Sequence, residues 1–158
     1  MSQKNIIFFT HNLDSGGAEK AVRKVAKYID DNYADYKVYV CVVYDAPLRH
    51  SEVNNLIVLK TKSQPSDNKL VKGINVLRQI SEMKSIKRSL NAKVCVSFLT
   101  GADMINVLSG VGEKKVISVR TKESRFTHDI LRKWYIQFTY ALCDRIVTVT
   151  DVPISPRR

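Results

Sequence analysis

An α/β fold is predicted, with a mostly parallel, doubly wound sheet of about six strands between two helical layers. Three observations carry this. Apolar runs of strand length alternate with segments of helical periodicity almost throughout. The first run, NIIFFT at residues 5–10, is unbroken from Ile6 to Phe9 rather than alternating, as a central strand covered on both faces requires. The segments between runs suit the right-handed crossovers that join parallel strands.

The elements follow in order. After Gly16-Gly17, the residues Ala18, Ala21, Val22, Val25, Ala26 and Ile29 recur at helical spacing, while Glu19, Lys20, Arg23, Lys24 and Lys27 fill the other face, predicting an amphipathic helix to about residue 32. YKVYVCVVY (36–44) and NLIVLK (55–60) read as the second and third strands, joined by a loop around Pro47. From Lys69 to Leu90 the stripe Leu70, Ile74, Leu77, Ile80, Met83, Ile86, Leu90 predicts a long helix packed on that stripe, with Lys72, Arg78, Lys84, Lys87 and Arg88 largely off it. AKVCVSFL (92–99) is a fourth strand, ADMINVLSG (102–110) a short helix, KKVISVR (114–120) a fifth strand, DILRKWYIQFTYAL (129–142) a helix and DRIVTVT (144–150) a sixth strand. Sheets of this Rossmann-like kind bind ligands at the carboxyl ends of their strands, so the loops after residues 10, 99, 120 and 150 are expected on one edge.

A chain of 158 residues with 44% hydrophobic content suits one globular domain, placed at residues 1–150. The Pro- and Arg-containing tail DVPISPRR (151–158) reads as an abrupt stop and a truncation point. No stretch approaches the roughly 20 apolar residues of a membrane span, and MSQKN lacks an export pattern, so a cytoplasmic location is expected. Cys41, Cys95 and Cys143 are odd in number and far apart, which fits buried reduced thiols rather than disulfides or a CxxC metal site. The net charge of +11 favours anionic partners: nucleic acid, phosphorylated sugars or an acidic lipid surface. Against nucleic acid, the cations are spread along the chain, concentrated only between Lys60 and Lys93, without a basic tail or an RNP-like pattern.

Gly16 at the N-cap would put Glu19 at the third helical position, where its carboxylate can reach back to free backbone N–H groups. The same bare amides could admit a phosphate-bearing ligand. The pattern is neither GxGxxG nor GxxxxGK[ST], and spacing alone leaves both roles open. His11, at the end of the first strand, is a candidate to bond a sugar hydroxyl or transfer a proton, or else a capping side chain. His50 and His128 have less to recommend them.

The order HNLDSGGAEKAVRKVAKYI, VCVSFLTGADMINVLSG, KVISVRTKESR and CDRIVTVT resembles the N-terminal, acceptor-side domain of retaining GT-B glycosyltransferases of family 4, the group-1 type. The resemblance runs to about Thr150 and rests on GGAE, VSFLTGAD, ISVR and DRIVTVT together. It implies one half of a GT-B fold, with the acceptor held mainly by this domain and the nucleotide-sugar mainly by a second. Gly16 and Gly17 would then approach the donor diphosphate, with Glu19 fixing the helix start. Thr100, Gly101 and Asp103 would line the cleft, and Arg120 and Lys122 would contact acceptor or phosphate. His11 and Asp103 are the candidates for catalytic roles; no metal and no cofactor are expected, the nucleotide-sugar being a substrate.

The resemblance also implies a C-terminal donor domain, in cis or in trans, carrying an acidic EX7E-type motif that these residues lack; alone they are expected to be inactive or nearly so. The acceptor class is a saccharide or lipid-linked saccharide, in cell-surface polysaccharide synthesis, with peripheral contact to an anionic membrane, at the inner face of the plasma membrane. Two rivals remain. A nicotinamide or flavin enzyme would use the same helix start, though Asp45 lies nearer 30 than the usual 20 residues from the glycines. A noncatalytic module binding nucleic acid or an acidic partner would rest on charge alone.

Overall fold

The computed structural model describes residues 3–14, 16–45, 53–64, 66–119 and 130–148. The elements run β1 (Lys4–Thr10), α1 (Gly17–Asn32), β2 (Tyr36–Val42), β3 (Leu56–Val58), α2 (Lys69–Ser89), β4 (Val94–Phe98), α3 (Thr100–Leu108), β5 (Lys114–Val119), α4 (Ile130–Leu142) and β6 (Arg145–Thr148). They form one six-stranded sheet in the order β3-β2-β1-β4-β5-β6. Every neighbouring pair is parallel. The doubly wound prediction therefore holds, and β1 lies in the interior of the sheet, paired with β2 on one side and β4 on the other.

The unbroken run of β1 is explained by two cores. Ile7 and Phe9 face a cluster with Cys41, Leu59, Met83, Cys95 and Ile105, to which α2 and α3 contribute. Phe8 faces the opposite cluster with Leu13, Val22, Ala26, Val40 and Phe98, covered by α1. Cys41 and Cys95 are fully buried, and burial raises both thiols, Cys95 to about 12, which suits inert core residues.

Two helices pack differently from their sequence patterns. On α1, Glu19 and Arg23 join Val22 and Ala26 on the buried side, while Val25 is exposed. On α2 the predicted stripe divides. Met83 is buried and Ile80, Ile86 and Leu90 pack against the core, but Leu70, Ile74 and Leu77 face solvent. Asn75 and Gln79 turn inward in their place. The cause is backbone accounting, since the irregular chain before α2 has carbonyls that need donors. Asn75 Nδ2 donates to Lys62 O (3.3 Å) and Gln79 Nε2 to Thr61 O (3.1 Å).

Lys87 corrects its predicted placement outside the core. It is fully buried, and its ammonium donates to Glu113 Oε1 (2.6 Å), Asn106 O (2.7 Å) and Asn106 Oδ1 (2.8 Å). Three donors thus meet three acceptors. Asn106 Nδ2 in turn donates to Ser97 Oγ (3.1 Å) and Cys95 O (3.2 Å), so α2, α3 and β4 are joined at the sheet end opposite the strands' carboxyl edge. Among the described residues no helix is long and apolar enough to cross a membrane.

Candidate functional site at the carboxyl edge

With all strands parallel, the chain leaves Thr10, Phe98, Val119 and Thr148 at one edge. The switch point falls between β1 and β4: β1 hands over to β2 on one side, and β4 hands over to β5 on the other. A crevice at such a divergence is where doubly wound sheets place ligands.

His11 occupies this position. Its carbonyl accepts from Val43 N (3.1 Å) and Tyr44 N (2.8 Å), which ties the end of β1 to the end of β2. Its imidazole lies against the first turn of α3, so close that a Cβ on Gly101 would overlap Nε2. Gly101 is therefore a matter of space, and it brings two residues predicted for the site together. Nδ1 of His11 and Oγ1 of Thr10 are buried without a hydrogen-bond partner among the described residues. Burial lowers the His11 pKa, which keeps the imidazole neutral at pH 7, with one nitrogen a donor and the other an acceptor.

The turn from β4 into α3 carries backbone strain. Leu99, the N-cap of α3, has φ 77° and ψ 141°, in territory that side chains rarely occupy. The following residue is anchored from α4, where the Tyr135 hydroxyl donates to Thr100 O at 2.6 Å. Thr100 and Gly101 are half-buried beside His11, and Asp103, in the first turn of α3, is 6% exposed.

The second part of the edge is the start of α1. Gly16 is the N-cap, as its spacing to Glu19 predicts. Its φ of −69° is open to any residue, so backbone conformation does not demand glycine there. A Cβ on Gly16 would overlap the tip of the Glu19 side chain, which lies folded over it and would have to turn aside. At Gly17 nothing lies within 4 Å of such a Cβ, and both glycines are exposed. A carboxylate thus shares the ground in front of the free amides, and it would repel an approaching phosphate unless it turned aside.

Arg23 holds this loop from below, with Nη1 donating to Leu13 O (2.6 Å) and Asp14 O (3.0 Å). The sequence pattern hid this role, because helical periodicity assigned Arg23 to the solvent face; its spacing of four from Glu19 was the available signal. Nothing in sequence pointed to Leu99 or Tyr135. Arg120 and Lys122 lie outside the described residues, as do His50 and His128. Among the described residues no group of three His, Cys, Asp or Glu side chains is clustered to hold a metal.

No family model and no curated protein matches the chain. Solved structures do match. Sucrose-phosphate synthase from Thermosynechococcus elongatus superposes with a TM-score of 0.65 at 8% identity, over 91% of this chain and 42% of that one. A putative UDP-N-acetylglucosamine 2-epimerase from Listeria monocytogenes gives 0.65 at 9% identity, over 96% and 40%. MurG from Acinetobacter baumannii gives 0.62 at 11% identity, over 98% and 43%. The fold is Rossmann-like and matches one half of the GT-B fold. The chain spans about two-fifths of the length of these neighbours. At such identities the likeness concerns the fold alone; the resemblance to family 4 is an expectation from the sequence motifs.

Proposed function

We propose that this chain is the acceptor-side half of a retaining glycosyltransferase, working with a second, donor-binding domain in cis or in trans. The sugar passes from a nucleotide-sugar to a saccharide or lipid-linked saccharide in cell-surface polysaccharide synthesis, at the cytoplasmic face of a membrane. The observation that carries the reading is the juxtaposition of His11 and Gly101 at the switch point, on the same carboxyl edge as the open Gly16-Gly17 turn. Two of the neighbours bear names that specify a sugar phosphate or a nucleotide-sugar, which agrees with the class of ligand.

In this reading the exposed amides at Gly16 and Gly17 meet the donor diphosphate, and Glu19 swings from Gly16 as the phosphate arrives. The neutral His11 imidazole bonds an acceptor hydroxyl beside Thr100 and Gly101. Asp103, in the first turn of α3, lines the cleft behind Thr100 and Gly101 and is the second candidate for a catalytic role. Arg120 and Lys122, which follow β5 in the sequence, supply cations for acceptor or phosphate.

Thermal shift of the chain with UDP, GDP, NAD and short oligonucleotides tests the class. Stabilisation by a nucleoside diphosphate, reduced by Gly17→Asp, is the expected result. Stabilisation by NAD alone would replace the transferase with a dinucleotide enzyme. A shift by oligonucleotides that vanishes steeply with salt would replace it with a nucleic-acid module.

A further inference from the structure

Among the described residues, the outward apolar face of α2 is left facing solvent. Leu70 is 73% exposed, Leu77 68%, Ile74 41% and Val71 38%. Leu70, Ile74 and Leu77 stand at i, i+4 and i+7, one stripe over two turns, with the inward Asn75 and Gln79 roughly opposite. Solvent-facing leucines on a helix whose polar amides point inward reverse the usual arrangement.

On this part of α2 the described charges have one sign. Lys69, Lys72 and Arg78 are exposed between residues 69 and 78, and Lys60 and Lys62 are exposed in the segment before them. No acidic residue occurs from Asn68 to Ser81. The acids at either end are engaged internally. Asp67 Oδ2 accepts from Gln64 N (2.7 Å) and Asn75 Nδ2 (3.3 Å), and Glu82 accepts from Lys60 N (2.6 Å) and Thr61 N (3.2 Å). The apolar patch, on the order of 300–400 Å², is under half of the ~800 Å² per partner that a stable protein interface buries. A lipid surface makes a smaller demand: a shallow apolar stripe lying in the interface with cations beside it.

We infer that the N-terminal part of α2, from Lys69 to Arg78, is a membrane-docking surface for anionic lipid, with Leu70, Ile74 and Leu77 entering the headgroup boundary and Lys69 and Arg78 meeting lipid phosphates. Because α2 leaves the carboxyl end of β3, docking there holds the rim that carries His11 near the bilayer. This deepens the lipid-linked-acceptor reading, on which it rests only for its purpose.

The test is flotation with vesicles of phosphatidylcholine alone and of phosphatidylcholine mixed with phosphatidylglycerol, free of acceptor and nucleotide-sugar. Failure to bind would then leave the transferase reading standing, and failure of the nucleotide shift would leave docking standing. Binding to the anionic vesicles alone is expected. L70Q/L77Q should weaken it by at least about tenfold, and K69Q and R78Q by about fivefold each. Melting temperatures should stay unchanged, because these side chains face solvent. Absence of binding, or binding indifferent to L70Q/L77Q, would overturn the assignment. So would a dimer, seen by sedimentation, that L70Q/L77Q dissolves, since the stripe would then join two copies of this chain.

Discussion

His11 is where conformation, protonation and ligand contact meet. Burial depresses its folded-state pKa below the ordinary 6.5, so below that pH the unfolded chain takes up a proton that the folded chain resists. Its contribution to stability is intact above 6.5 and is lost as pH falls through that value toward the folded pKa. Melting curves from about pH 7.5 to about 5.5 should show a decline that His11→Asn reduces; an equal decline in the variant would place the proton elsewhere. The neighbouring pair Gly16 and Glu19 permits a prediction with two signs. Glu19→Gln removes a carboxylate from the positive end of α1, costing about 0.3–1 kcal/mol. It also removes a repulsive charge from the amides. Pyrophosphate, followed by calorimetry, should therefore bind several-fold tighter to a slightly less stable protein. Weaker binding would mean that Glu19 serves the anion rather than the helix.

Elements are held by polar contacts that the hydrophobic pattern did not announce. Lys87 and Glu113 are both fully buried in their side chains, and removing one leaves the other charged and unpaired. Lys87→Ala should cost about 3–5 kcal/mol in urea unfolding, and Lys87→Met combined with Glu113→Leu much less, because both charges then leave together. Arg23→Ala should cost about 2–3 kcal/mol by freeing Leu13 O and Asp14 O. Strands were legible because their side-chain period and length survive any packing. NIIFFT, YKVYVCVVY and AKVCVSFL all appear within two or three residues of their predicted bounds. Helix existence was legible too, but not helix orientation. Periodicity finds a face without saying which way it points, and on α2 the carbonyls of Thr61 and Lys62 decided by requiring Asn75 and Gln79. At the site, Gly16 and Gly101 stood out as glycines, yet their neighbours, the Glu19 carboxylate and the His11 imidazole, are contacts that only the folded chain defines.

At the scale of the whole molecule, the parallel order β3-β2-β1-β4-β5-β6 collects its exits on one edge and leaves that edge furnished on one side. The described residues offer bare amides, a neutral imidazole and the strained turn at Leu99, but few charges directed at a developing negative centre. Sugar transfer from a nucleotide leaves a diphosphate, and stabilising that charge in the transition state is ordinarily the largest catalytic contribution. Removing a single preorganised donor from such a site costs about 10²–10³ in rate, and in the proposed transferase most of them would have to come from a facing domain. Incubated alone with a nucleotide-sugar and a saccharide acceptor, the 158-residue chain should release nucleoside diphosphate no faster than the buffer control. Adding a donor-binding domain should restore release, and His11→Asn should reduce the restored rate. Turnover by the chain alone at an ordinary enzymatic rate of about 1–10³ s⁻¹ would show that its own carboxyl edge is a complete active site.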